Sequence, residues 1–211
     1  MNTYIYFHVC CINHYVYVFK NIMNKIKTSG LYDNITEIRC GVLGYNNEPD
    51  LFNDPKIVIR GTNPDIGLFE VFTINLLYED AQKEDFNVLY LHTKGITRHP
   101  LHKQVHDWVN YLCYFNIYQF KKCIDFLKDY DTVGVNLVIN NPEVVTHYSG
   151  NFWWSKSSYI RKLEKCIYYC FNSQEFWITE KKIGNYHCLW NSNINHYEEE
   201  YPLHLYNNTI E

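Results

Sequence analysis

The sequence predicts an α/β fold built on a mainly parallel sheet. Three observations carry this. Short β-rich apolar runs recur through the first hundred residues, stretches with helical spacing follow the first and third of them, and turn chemistry separates the two kinds of segment.

Taken in order, Tyr4 to Ile12 is the first apolar run, and Asn13 is a candidate helix cap before the amphipathic stretch Tyr15 to Lys27. Ser29-Gly30 closes that helix, and Ile35 to Leu43 reads as the second strand. A polar loop from Asn46 to Pro55 leads to the short strand Lys56 to Arg60. Gly61 to Asp65 is turn chemistry, Gly67 to Asp80 has helical spacing, and Phe86 to Leu91 is the fourth strand. Four strands over about 90 residues, alternating with helices, make a βαβ series whose sheet is covered on both faces. Ligands of such sheets sit outside the strand carboxyl ends, which directs attention to His8–His14, Gly61–Gly67 and His92–Arg98.

Beyond this half the character changes. Apolar spacing from Lys103 to Asp129 supports one or two helices. Thr132 to Ile139 and Val144 to Trp154 read as strands of a more antiparallel half, and Ser157 to Asn172 and Glu175 to Lys181 read as helices. The tail from Asn185 reads as loop, with Glu198 to Glu200 a solvated run. No repeat or linker divides the chain. One domain over 1–211 is expected, with 1–100 as a nucleotide-binding half and 101–211 as an acceptor half.

Composition narrows the function classes. The 211 residues carry a net charge of −4, so the basic footprint of a phosphate-backbone binder is missing and nucleic acid is not an expected partner. No apolar run approaches the roughly 18 residues of a membrane span, and no basic segment precedes Tyr4, so neither a transmembrane segment nor a signal peptide is expected. The eight cysteines form no C-x-x-C pair and read as mostly buried thiols, hence a reducing, cytoplasmic setting in which the sequons at Asn34 and Asn207 are inert. Aromatic residues reach 18%, which suits either a sugar-stacking surface or a ring-filled core.

The most informative segment is Phe86 to Gly95, an apolar strand ending in His92-Thr93-Lys94-Gly95. It resembles the HTK signature of polysaccharide-synthesis glycosyltransferases, including rhamnan-synthesis transferases and similar proteins of large DNA viruses. Asn63-Pro-Asp65-Ile-Gly67-Leu-Phe69 is similar to that family's N-x-D-x-G-x-F element, and His106-Asp-Trp108 falls where a Trp follows HTK. His147 to Trp154 resembles its glycine-aromatic strand, and Gln174-Glu175-Phe-Trp177-Ile178 its late acid-aromatic element. These matches span roughly residues 60 to 180.

The resemblance implies a GT-A-like, Rossmann-type αβα sandwich that transfers sugar from a nucleotide-diphosphate sugar to a glycan or glycoprotein acceptor, in the host cytoplasm if the protein is viral. It departs from the common GT-A pattern at one place. Where that pattern has a metal-binding Asp-x-Asp after the fourth strand, this chain has His92-Thr93-Lys94. Lys94 is therefore expected to offset charge on the leaving diphosphate, with Mn or Mg possible but not favoured. Its single charge provides less Coulomb stabilisation than a divalent ion at equal distance. A metal alternative has His92 completed by Asp80, Asp85, His187 or His196.

Asn63, Asp65, Gly67, His92 and Thr93 are expected on the donor side, with a plain Asx-turn as the other reading of Asn63 and Asp65. Glu175 is expected as general base, or else as favourable charge at a helix start. Gly150, Asn151, Trp153 and Trp177 are expected on the acceptor side, although most of the tryptophans should be core. His99, His102 and His106 have helical spacing without the HExxH glutamate, so zinc hydrolysis is not supported. A non-catalytic carbohydrate-binding or assembly protein with the same fold is the alternative function, and a nucleotide-binding hydrolase a third.

Overall fold

A computed structural model describes residues 1–98, 102–139, 145–170 and 172–207. The first half follows the alternation in the sequence: β1 (Asn2–Cys10), α1 (Tyr15–Thr28), β2 (Glu37–Leu43), β3 (Ile57–Asn63), α2 (Val71–Ala81) and β4 (Phe86–His92). Next come α3 (Lys103–Cys113), a π-helical turn (Tyr114–Tyr118), α4 (Phe120–Phe126), β5 (Thr132–Gly134), β6 (Leu137–Val138), β7 (His147–Tyr148) and β8 (Trp153–Lys156). The chain continues through α5 (Ser157–Ile160), α6 (Ser173–Phe176) and β9 (Tyr186–Cys188).

The seven-stranded sheet has the order β3-β2-β1-β4-β8-β5-β9. β1 pairs in parallel with both β2 and β4, and β2 with β3; β8 runs antiparallel to β4 and to β5, and β9 closes the edge parallel to β5. The expected mostly parallel αβα sandwich is therefore present. Alternation along the strands explains the two layers, because successive side chains leave a strand on opposite faces. Ile5, Phe7 and Val9 join the core under α1, α3 and α4, whereas Tyr4 and Tyr6 join the one under α2 and α5. β4 divides likewise, with Leu89 and Leu91 on one side and Val88 and Tyr90 on the other.

One close approach fixes where α2 lies. A Cβ added to Gly41 on β2 would stand 2.2 Å from Thr73 Oγ1, so only glycine lets the helix press this near the sheet. Thr73 then reaches His8 Nδ1 at 2.8 Å across the strand ends.

Several expectations are corrected in detail. Asn13 takes a left-handed turn at φ +48° and the helix starts one residue beyond His14. The helix expected from Gly67 begins at Val71, since Ile66–Leu68 forms a 3-10 turn and Phe69 adopts φ +47°. The strands expected over Thr132–Ile139 and Val144–Trp154 are broken into short pieces; Val144 itself lies outside the described residues. The helix expected over Ser157–Asn172 stops at Ile160, because tertiary partners take the backbone instead: the Asn75 side chain bonds both Cys166 N–H and C=O, and Trp177 Nε1 donates to Glu164 O at 2.8 Å. The helix expected over Glu175–Lys181 is only the turn of α6. The tail is not simply loop, as β9 extends the sheet. All eight cysteines are free thiols, and no helix among the described residues is long and apolar enough to cross a membrane.

Candidate functional site

The strand order puts the carboxyl ends of β1 and β4 side by side, with His8 paired in register to His92. Over these ends opens a cleft of about 860 Å³, within the size of ordinary small-molecule sites. Its floor is His8, Cys10 and His92–Lys94; the loop before α2 gives Gly67, Phe69 and Glu70; α3 gives Trp108; Asn151, Gln174, Glu175 and Tyr197 close the far side. Residues separated by more than a hundred positions thus meet in one place.

Lys94 is the distinctive cation of this cleft. Its Nζ lies 3.7 Å from the Trp108 ring centroid, and among the described residues it makes no ion pair. Burial pulls its ammonium below the ordinary lysine value, against the fields of Glu175 and Glu70. Such a desolvated cation, held by a ring rather than by a carboxylate, is available to an anionic ligand. Trp108 is itself held by two further rings, stacked on His196 at 5.3 Å and met edge-on by Tyr197 at 4.9 Å.

His92 lies at the end of β4 with both ring nitrogens engaged. Nδ1 is 3.0 Å from Glu70 Oε1 and Nε2 is 3.2 Å from the Gly150 carbonyl. Glu70 Oε2 accepts from Tyr90 Oη at 2.9 Å and Asn151 Nδ2 at 2.7 Å. Burial pushes the Glu70 carboxyl up, but His92, His8 and the Tyr90 hydroxyl together hold it down at about 2. His8, buried beneath them, is pushed down to about 4 by desolvation, with Glu70 opposing. Thr93 is buried; its N–H donates to His8 O and its Oγ1 accepts from Cys10 N–H, tying the two strand ends together.

Glu175 stands at the start of the one-turn α6, and its Oε1 accepts the Gly150 N–H at 2.6 Å. Gly150 has φ +99°, and a Cβ there would strike Leu112 and approach Trp108 Nε1, so the turn that presents this amide requires glycine. Asn151 follows at φ +54° and is 2% exposed, its Oδ1 accepting from Trp153 Nε1.

The other expected residues divide. Asn63 Oδ1 accepts from Asp65 N–H, and Asp65 Oδ1 from Gly67 N–H, the Asx-turn reading of this loop; Asp65 is exposed next to the cleft-lining Ile66 and Gly67, but neither it nor Asn63 lines the cleft itself. Trp153 and Trp177 are core: Trp153 is wholly buried between Tyr90 and Trp177, and Trp177 is 6% exposed. Neither offers a face to a sugar, because alternation along β8 turns Trp153 under α2 rather than toward the strand ends. Besides Trp108, the rings that border the cleft among the described residues include Tyr197, 66% exposed, and Phe69, which stacks on the exposed Tyr168 at 5.4 Å.

A divalent cation does not fit the residues suggested for it. Among the described residues no group of three His, Cys, Asp or Glu side chains is arranged to hold a metal. Asp80 is bound by Arg39 and Arg60, Asp85 by Arg161, His187 packs on Phe126, and His196 lies against Trp108. His106 is exposed and bonded to Asn110, while His99 lies outside the described residues, as do positions 208 and 209 of the second sequon.

No protein-family model and no curated protein matches the sequence. Solved structures do. A protein of Desulfovibrio desulfuricans G20, provisionally assigned as a nucleotide-diphospho-sugar transferase, is 12% identical and superposes with a TM-score of 0.50 over 90% of this chain and 82% of its own. HddC from Yersinia pseudotuberculosis is 10% identical, with a TM-score of 0.46 over 90% of this chain and 91% of its own. The first likeness shows the fold alone, an α/β architecture around a mostly parallel seven-stranded sheet.

Sequence reasoning missed Glu70, Phe69 as a cleft ring, and Tyr197, and pointed to His8 only as the start of a strand-end segment. Glu70 directly follows the Asn63–Phe69 element, so a carboxylate at the third strand's carboxyl end was the available signal. Tyr197 gave none, since only the fold brings the tail to α3.

Proposed function

We propose that the chain transfers a sugar from a nucleotide-diphosphate sugar to a glycan or protein-linked acceptor, as its likeness to HTK-motif polysaccharide-synthesis transferases suggests. The observation that carries the reading is Lys94, a desolvated ammonium without an ion-pair partner among the described residues, in the same cleft as Glu175.

In this mechanism the acceptor hydroxyl attacks the anomeric carbon as the bond from that carbon to the diphosphate oxygen breaks. The hydroxyl proton passes to Glu175, whose Oε1 is fixed by Gly150 and whose second oxygen takes the proton. The electron pair leaves on the nucleoside diphosphate, where Lys94 offsets the developing charge. Attack opposite the leaving group inverts the anomeric centre. Asp65 keeps one carboxylate oxygen outside its turn for a ribose hydroxyl, and Gly67 and the His92–Thr93 peptide line the diphosphate side. Tyr197 supplies the ring for an acceptor sugar that Trp153 and Trp177 do not.

The test is thermal unfolding with a panel of nucleotide-diphosphate sugars, with and without manganese. A donor at a hundred times its dissociation constant stabilises by about 2.7 kcal/mol, roughly 5–10 °C for a chain of this size. The expected result is a shift of this order without metal. No shift with any donor overturns the reading; a shift seen only with manganese overturns the role of Lys94.

A further inference from the structure

We propose that Glu70 is the positioning residue of this site, orienting Glu175 through His92 and the Gly150 peptide. This rests on the transferase reading of Glu175, but the connection itself is geometric and can be tested without substrate.

Glu70 joins parts of the chain that are far apart in sequence. Its Oε1 faces His92 Nδ1 at 3.0 Å, and the opposite ring nitrogen faces Gly150 O at 3.2 Å. The same Gly150 residue donates its N–H to Glu175 Oε1 at 2.6 Å. Four residues from four separate segments therefore form one continuous chain of polar contacts, running from the loop before α2 to α6. The second arm of Glu70 reinforces it: Oε2 holds Asn151 Nδ2, and Asn151 is the next residue of the same left-handed turn.

The backbone explains why such bracing is required. Gly150 and Asn151 both have positive φ, at +99° and +54°, and the second is a costly conformation for a residue with a side chain. The turn persists where surrounding contacts over-determine it. Glu70 braces both residues, Gly150 through the His92 ring on its carbonyl and Asn151 directly at its side-chain amide, so its removal loosens the turn whose Gly150 amide fixes Glu175. A carboxylate serving only to start α2 would not show this arrangement; Glu70 makes no capping bond to that helix.

The test reads the Gly150 amide by nuclear magnetic resonance in the full chain without ligand. In Glu175→Gln the amide proton moves upfield as its short bond to a carboxylate is lost, which calibrates the signal. Glu70→Gln is expected to move it in the same direction by a comparable amount, whereas Tyr90→Phe, which removes another Glu70 contact outside this chain, leaves it in place. His92→Asn breaks the connection from its other end and serves if Glu70→Gln does not fold. A Gly150 amide unmoved in the folded Glu70 or His92 variant, while Glu175→Gln moves it, overturns the proposal. With the donor found by thermal screening, Glu70→Gln should lower turnover about tenfold or more with little change in donor KM. A coupled Gly150 signal in a protein that turns over no donor keeps the connection and removes the transferase reading instead.

Discussion

Two carboxylates at opposite ends of α2 have opposite surroundings. Asp80, near the carboxyl end, is 4% exposed and saturated with charge: Arg60 grips both of its oxygens, Arg39 lies at 3.4 Å, and Tyr6 donates at 2.6 Å. Glu70, just before the amino end, faces the cleft and is held by an imidazole, a phenol and an amide, while the strong cation nearby, Lys94, pairs with neither it nor Glu175. A closed network spends its charges on one another and stabilises the fold. An open one leaves a cation uncompensated, which costs stability and leaves it available for a ligand.

The sharpest way to break this contrast is Lys94→Met. Nucleoside-diphosphate release should fall about 10²–10³-fold, equivalent to about 3–4 kcal/mol of transition-state stabilisation, while urea unfolding shows equal or greater stability. A protein that instead becomes less stable and keeps its turnover would put Lys94 on the structural side.

Asp80→Ala is the converse. Arg39 would keep Glu37 and Glu84, both partly exposed, but lose its buried partner, so the expected cost is about 3 kcal/mol of unfolding free energy with donor affinity unchanged. A change in donor affinity at undiminished stability would show that the network communicates with the cleft.

Acid separates the regions by pH. His8 and His196 are both held near 4 by burial, below the ordinary histidine value of 6.5. Between those values the unfolded chain binds more protons than the folded one, so stability falls as the pH drops from 6.5 toward 4, by about 1.4 kcal/mol per pH unit for each histidine. Asp80 and Glu70 have carboxyls held below their ordinary values, so their contribution is full above the unfolded carboxylate range and is lost at lower pH, for Glu70 as the pH falls through about 2. Urea unfolding from pH 7 to 5 should therefore show a loss that His8→Gln with His196→Gln flattens and Asp80→Asn does not.

How much of this was legible differs along the chain. β1 and β4 could be read because both faces of each are buried, which writes a continuous apolar run. Segment 161–170 could not, since its helical spacing loses to the Asn75 side chain and to Trp177, partners distant in sequence. β9 is three half-buried residues at a sheet edge, too short for any period to show. In the site, Lys94 and Glu175, which both line the cleft, stood out by their resemblance to a family pattern. Glu70 did not, because an acidic residue before an amphipathic run also suits a helix dipole, and only the fold brings His92 against it. The tryptophans misled for the reverse reason: their type suggests a sugar surface, and their places on and below β8 bury them.

The smallest effect tests the rim. Asp65 caps a turn with one oxygen and, in the proposed mechanism, meets the donor ribose with the other. Asn is as good a turn acceptor as Asp, so Asp65→Asn should keep the Asx-turn and change unfolding free energy by less than about 0.5 kcal/mol. It removes the charge from the second contact, and a hydrogen bond that loses its ionic character at an exposed site weakens by about 1 kcal/mol, or roughly fivefold in donor affinity by calorimetry. Unchanged affinity at unchanged stability would assign Asp65 wholly to the turn and move the donor contacts inward to Gly67 and Lys94. The contrast would then become stricter, with binding confined to groups that the fold leaves uncompensated.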